Sequence, residues 1–214
     1  MKHLPIAFVA AAIAALAGCA QPTRSRDTAN PAIDAVVLAR QVCSNCHGVT
    51  GNAVSPNFPN LAGQTSDYLV SQLTGFRSKA RRDPAGYEYM WGLSRSLTDE
   101  QIKGLAEYFS GRTPERQPVE REAVRIAAGA ALFADGLPEK NVPACATCHG
   151  TDAGGNGAFP RLAGQHADYV VKQLVVFQRT EERPQGAAMK VVVHELGPED
   201  IESVAAFVQA LPNR

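Results

Sequence analysis

The chain has 214 residues, with 21 basic and 21 acidic side chains and so no formal net charge. That balance offers no electrostatic grip on nucleic acid. The length suits one or two domains, each able to bury a core, and the composition is that of an ordinary globular protein.

Met1, Lys2 and His3 form a short basic start, and Leu4 to Leu16 an apolar run too short to cross a bilayer as a helix. Residues 1–18 therefore read as an export signal. The junction Leu16-Ala17-Gly18-Cys19 resembles a bacterial lipobox, in which the Cys is lipidated and becomes the mature N-terminus. Ordinary cleavage beside an incidental Cys is the alternative. Ala20 after it, rather than Asp, is compatible with sorting to the outer membrane, although the inner one stays open. Residues 19–31 are polar, with Pro22, Thr23, Ser25 and scattered Arg, and read as a flexible tether.

A first domain is expected over 32–111. Pro31 opens a helix from Ala32 to about Cys43, with Ile33, Val36, Val37 and Arg40 marking its inner face. It leads into Cys43-Ser44-Asn45-Cys46-His47. A C-x-x-C-H run is the attachment signature of c-type haem: each thiol can form a thioether to one vinyl, which leaves the adjacent His beneath the iron. Structural zinc or a redox disulfide would also use C-x-x-C. A Gly-rich loop and Phe58-Pro59-Asn60-Leu61-Ala62-Gly63-Gln64 follow, then a helix from about Thr65 to Ser78 with Leu69, Leu73 and Phe76 on one stripe. A basic loop holding Arg77, Lys79, Arg81 and Arg82 leads to Tyr87-Glu88-Tyr89-Met90-Trp91. Those cations either form a solvated surface or serve haem propionates or a docking partner. Thr98-Asp99-Glu100-Gln101 is a capping box, and its helix stops at Gly111.

Residues 112–118 hold two prolines and read as a linker. The pattern then restarts over 119–214. A helix from about Val119 to Ala134 precedes Cys145-Ala146-Thr147-Cys148-His149, and Phe159-Pro160-Arg161-Leu162-Ala163-Gly164-Gln165 repeats the earlier heptapeptide at all but one position. Asp67-Tyr68 matches Asp168-Tyr169, Gln72-Leu73 matches Gln173-Leu174, and Met90 matches Met189. Leu97 and Leu196 each lie seven residues after the Met, and the last helix opens at Pro198. The chain is a tandem duplication, each copy with its own motif set.

A haem iron takes an axial ligand on each face. His47 and His149 supply one each, and Met90 and Met189, the remaining methionines after the initiator, are the candidates for the other. A soft thioether favours ferrous iron and raises the reduction potential. The alternative is that both Met fill cores. His166 and His194 are rival ligands without a His counterpart in the first half, and Tyr89 is a weaker one. The Pro59 and Pro160 carbonyls are expected to orient His47 and His149, with Leu61 and Leu162 packed on the rings. Cysteine use closes: Cys43, Cys46, Cys145 and Cys148 carry two haem c groups and Cys19 carries lipid, so none is left over for a disulfide.

These paired motifs, C-x-x-C-H-G, F-P-x-L-A-G-Q, D-Y-x-x-x-Q-L and a Met seven residues before a Leu-led capped helix, closely resemble the di-haem cytochrome c4 family over about residues 32 to 211. The resemblance implies an all-α protein of two class I cytochrome c domains related by a pseudo-twofold axis, with haem propionate edges close together. It implies a single-electron carrier, not an enzyme, working on the periplasmic side between a respiratory donor complex and a terminal oxidase. Two rivals remain: a haem subunit bound to a membrane-associated dehydrogenase, and a di-haem peroxidase, which would need an open iron. The lipobox and the Tyr-Glu-Tyr-Met-Trp surround of Met90 depart from the family pattern.

Overall fold

The computed structural model describes residues 25–84, 86–116, 123–179 and 181–212. The expected signal segment, Cys19, the first part of the expected tether, the end of the linker and the expected helix start at Val119 lie outside the described residues. Among the described residues the chain is helical, with only isolated bridges at Leu137 to Val142 and Asn156 to Phe159.

The first helix begins later than Pro31 suggests. Asn30 and Ile33 close a turn, and the carboxylate of Asp34 accepts from Val36 N at 2.7 Å, which makes Asp34 the cap of α1, Ala35–Leu38. The helical path continues as a wide turn over Ala39–Cys43 and then as α2, Ser44–His47. That widening changes the phase of the inner face, because a π-turn adds a residue to the period. Leu38 and Ala39 are buried, while Val36 is 41% exposed and Arg40 faces solvent.

Helix α3 is Ser66–Arg77, burying Leu69 and Phe76 as the stripe requires. A wide-turn segment Gly86–Trp91 and the short α4, Gly92–Ser94, carry Met90 on helical backbone instead of loop. Ser94 Oγ donates to Met90 O at 2.7 Å and holds that segment together. Helix α5, Asp99–Ser110, starts with both arms of the capping box, Thr98 Oγ1 accepting from Gln101 N and Gln101 Oε1 from Thr98 N. The Gln101 amide also donates to Asn30 O and Ile33 O at 3.0 Å, pinning the entry turn to this helix.

The second half repeats the plan with α6, Ala123–Asp135; α7, Ala146–His149; α8, Ala167–Arg179; α9, Ala187–Val193, which carries Met189; and α10, Pro198–Ala210. Each half has its own core. In the first, Leu38, Leu69, Leu97, Ile102, Leu105 and Phe109 pack together. In the second, Phe133, Val170, Leu174, Leu196, Ile201 and Val204 do so. The first and last helices of each half cross closely. Gly104 of α5 lies against Ala35, whereas in the second half the glycine is on the other partner, Gly129 of α6 against Ser203 O.

Candidate haem sites

His47 and His149 end short helices that bury them to 7% and 5% exposure. His47 Nδ1 donates to Pro59 O and His149 Nδ1 to Pro160 O, each at 2.9 Å. Burial pushes both imidazoles below their ordinary range, against the opposing effect of the proline bond. Each ring is therefore neutral, with its proton on Nδ1 and the Nε2 lone pair left for a metal. Gly48 and Gly150 follow at φ 73, ψ 155 and φ 82, ψ 154, backbone that only glycine adopts freely. The glycine after C-x-x-C-H turns the chain sharply away from the ring.

The cysteine pairs sit on the same turns. Burial pushes the Cys43 thiol up to about 11 and raises that of Cys145. Among the described residues no group of three or more His, Cys, Asp or Glu side chains converges on a metal-sized site. A structural zinc therefore has no donor set among the described residues, while a cysteine pair beside an oriented imidazole in each half fits covalent haem attachment.

Leu61 and Leu162 border the cores of their halves, and Met90 and Met189 are partly buried. The rival ligands are occupied elsewhere. His166 Nε2 donates to Ala53 O of the first half at 2.8 Å, and the exposed His194 bonds Val191 O with Nδ1. Tyr89 is 58% exposed and meets Phe58 edge-on, while Tyr87 stacks on Trp91 beneath Lys79 Nζ, 4.1 Å from the indole. This aromatic surround has no copy beside Met189, where Ala187, Ala188, Lys190 and Val191 stand.

The basic cluster divides. Arg77 bonds Leu97 O and Asp99, and Lys79 and Arg82 are exposed. Arg81 turns inward and is 5% exposed, at the face the two halves share. There Arg81 donates to Gln72 Oε1 at 2.7 Å and to Gln173 Oε1 at 3.1 Å. Arg183 donates to the same two acceptors and to Tyr68 Oη. Arg81 lies over Phe76 and Arg183 over Phe177, each at 4.5 Å, so the arginines are structural counterparts. This cluster gives the D-Y-x-x-x-Q-L motif its place. It also tests the fit of haem: two buried guanidiniums face one buried carboxylate, Asp83, and a surplus buried cation calls for an anion such as a propionate.

An all-α chain of two like halves, each with a C-x-x-C-H turn and an oriented, neutral imidazole, is a tandem c-type cytochrome. The cytochrome c family model matches it twice, at residues 35–112 and 126–212. Cytochrome c4 of Azotobacter vinelandii is 35% identical over 181 residues, covering 79% of this chain and 84% of that one. The structure of Acidithiobacillus ferrooxidans cytochrome c4 superposes with a TM-score of 0.73 at 35% identity, covering 79% of this chain and 98% of that one. A thiosulfate dehydrogenase electron acceptor of Stutzerimonas stutzeri is 32% identical over 212 residues, 96% of this chain and 93% of that protein. The chain belongs to the di-haem cytochrome c4 family. It is an electron carrier with two covalently bound haem c groups and is not an enzyme.

Proposed function

We propose that the carrier works in the bacterial periplasm, tethered by lipid on Cys19 to the outer or inner membrane, and passes single electrons from a respiratory donor complex toward a terminal oxidase. Residues 32–111 and 119–214 each form one electron-carrying domain, joined by the linker 112–118. Cys43 with Cys46, and Cys145 with Cys148, attach the haems. His47 and His149 would offer Nε2 to iron, oriented by the Pro59 and Pro160 carbonyls and packed by Leu61 and Leu162, and Met90 and Met189 would supply the second protein ligand of each haem. The haems supply one-electron storage at iron. The protein holds the ligands fixed between oxidation states and keeps the iron closed to substrate.

The observation that carries this reading is repetition. Both halves hold the same buried His–Pro pair, and each holds one Met at the matching place. An optical redox titration of the mature holoprotein is expected to give two haems per chain, each with the sulfur-to-ferric-iron charge-transfer band. Met90→Ala should remove that band from one haem and Met189→Ala from the other. Peroxide turnover by the reduced protein would overturn the closed-site reading. For the anchor, Cys19→Ala should release the protein from washed membranes.

A second reading, a haem subunit serving a membrane-associated dehydrogenase, draws support from the relative named as a thiosulfate dehydrogenase electron acceptor, whose match spans 96% of this chain. Stable co-purification with a catalytic subunit would favour it over a freely moving carrier.

A further inference from the structure

The segment that carries Met90 turns most of its side chains to solvent. Tyr87 is 45% exposed, Tyr89 58% and Leu93, just beyond it, 39%. Single apolar residues are common on a surface, whereas three within seven positions beside a half-buried Trp91 make a patch. The patch is ordered. Tyr87 and Trp91 stack with ring centroids 5.9 Å apart and planes 7° from parallel, and two cations stand on the indole, Lys79 Nζ at 4.1 Å and Arg95 Cζ at 5.4 Å from its centroid. Lys79 holds a left-handed backbone, φ 59, that residues with a Cβ rarely adopt. Among the described residues neither cation has a carboxylate partner. Tyr89 meets Phe58 edge-on at 6.3 Å and Phe58 meets His47 edge-on at 6.1 Å, so the patch begins one ring away from the haem histidine.

A Met at this place does not require such a surround. In the second half Gly186, Ala188, Lys190 and His194 stand where the first has Tyr87, Tyr89, Trp91 and Arg95. Lys190 is paired with Glu181, and His194 Nε2 lies 3.8 Å from Glu195. Among the described residues, stacked rings under unpaired cations mark the Met90 face and not the Met189 face. We propose that this patch is the carrier's docking port, on which an acidic one-electron redox protein seats to exchange an electron with the first half. Tyr, Trp and Arg are the side chains that most often carry the binding energy of protein interfaces. Lys79 and Arg95, held on a ring instead of neutralised, stay available to carboxylates of a partner and draw it in at long range. Glu88, exposed between the two tyrosines, opposes an anionic bilayer, which is uniform in charge, and suits a protein face, which is not. One electron crosses the port: the first iron goes from ferrous to ferric as the partner is reduced by one equivalent, or the reverse, and no bond forms or breaks. The inference deepens the carrier reading and rests on it, with one haem held by each half.

Plastocyanin, an acidic blue-copper protein, is the probe. The chain has one Trp, so in the 15N-labelled holoprotein the indole N–H resonance reports this patch alone. Titration with redox-inert, zinc-substituted plastocyanin at low ionic strength should shift that resonance, and added salt should reverse the shift. Lys79→Gln/Arg95→Gln should weaken binding severalfold, whereas Lys190→Gln, on the Met189 face, should leave it unchanged. With cupric plastocyanin the reduced holoprotein should lose its electron severalfold more slowly in Lys79→Gln/Arg95→Gln, with a flatter salt dependence, and Tyr89→Ser should slow the reaction while keeping the salt dependence. An indole resonance that plastocyanin does not move, or binding weakened equally by Lys190→Gln, overturns the proposal. So does a shift produced by phosphatidylglycerol vesicles and not by plastocyanin, which would give the patch to a membrane, or a dimer in sedimentation that Tyr89→Ser dissolves, which would give it to a second copy. Failure of the carrier reading shows separately, as a reduced parent protein that hexacyanoferrate(III), a small oxidant that needs no docking surface, does not oxidise at two haems per chain.

Discussion

Gln64 and Gln165 make one contact in opposite directions. The Gln64 amide accepts from Arg161 N at 2.7 Å and donates to Arg161 O at 2.9 Å, while Gln165 accepts from Asn60 N at 2.8 Å and donates to Asn60 O at 3.0 Å. Each side chain imitates a strand edge for the other half's F-P-x-L-A-G-Q loop. That loop also supplies the proline carbonyl to the haem histidine, so the joint between halves and the support of each imidazole share a backbone.

Removing either glutamine strands a backbone N–H and C=O in a buried joint, at about 1–3 kcal/mol for each group left unsatisfied. Gln165→Ala should cost more than a surface substitution. In the double variant Gln64→Ala/Gln165→Ala the halves should unfold in separate denaturant transitions, followed by haem absorbance. A single cooperative transition of unchanged slope would show that the joint is held by something else.

Gly48→Ala should impair the first half more than Gly150→Ala impairs the second. Both positions sit in glycine-only backbone, costing about 1–3 kcal/mol for any other residue. At Gly48 the added Cβ would also lie 2.4 Å from Asn52 O, a fixed backbone atom, whereas at Gly150 the nearest atom is Asp152 Oδ1 at 3.1 Å, which can swing away. Thermal melts of the two holoproteins, followed separately at each haem, check the order.

The stripes of α3, α5 and α10, the capping box and both His–Pro bonds were legible in the sequence because each rests on neighbours a few residues apart or on a motif present twice. The joint between halves was not. Gln64 and Gln165 in their loops, and Gln72 and Gln173 in their helices, stand out in the sequence only as repeated motif residues, and they are buried because partners some hundred residues away satisfy them. Nor did four neighbouring cations reveal which one turns inward. Arg81 does so because Asp83 and two glutamine oxygens await it, and only the fold brings the second glutamine there.

The same cluster predicts an alkaline limit. Burial pushes the Tyr169 phenol up, although the nearby Arg81 cation pulls the other way. A phenol whose folded pKa lies above its unfolded value, about 10, contributes stability that is intact below pH ~10 and is lost as pH rises through the folded value. Denaturant midpoints should therefore stay level to about pH 10 and fall beyond it, with a shallower fall in Tyr169→Phe. An equal fall in both proteins would assign the limit to other groups.

The helix crossings predict opposite outcomes for two similar substitutions. At Gly104 an added Cβ would meet only the Ala35 Cβ, at 2.6 Å, so Gly104→Ala should destabilise by about 1–3 kcal/mol, the usual cost of overpacking. Adding Ala35→Gly removes the obstructing methyl and should restore most of the loss, since the pair then has the glycine on the other helix, as the second half does. At Gly129 the added Cβ would fall 1.9 Å from Ser203 O and 2.5 Å from Ser203 C, both backbone. No side-chain change can relieve that, so Gly129→Ala should force α6 and α10 apart and resist rescue by Ser203→Gly. Double-mutant cycles on thermal stability measure both, and rescue at Gly129 by Ser203→Gly would mean that the crossing is looser than this packing requires.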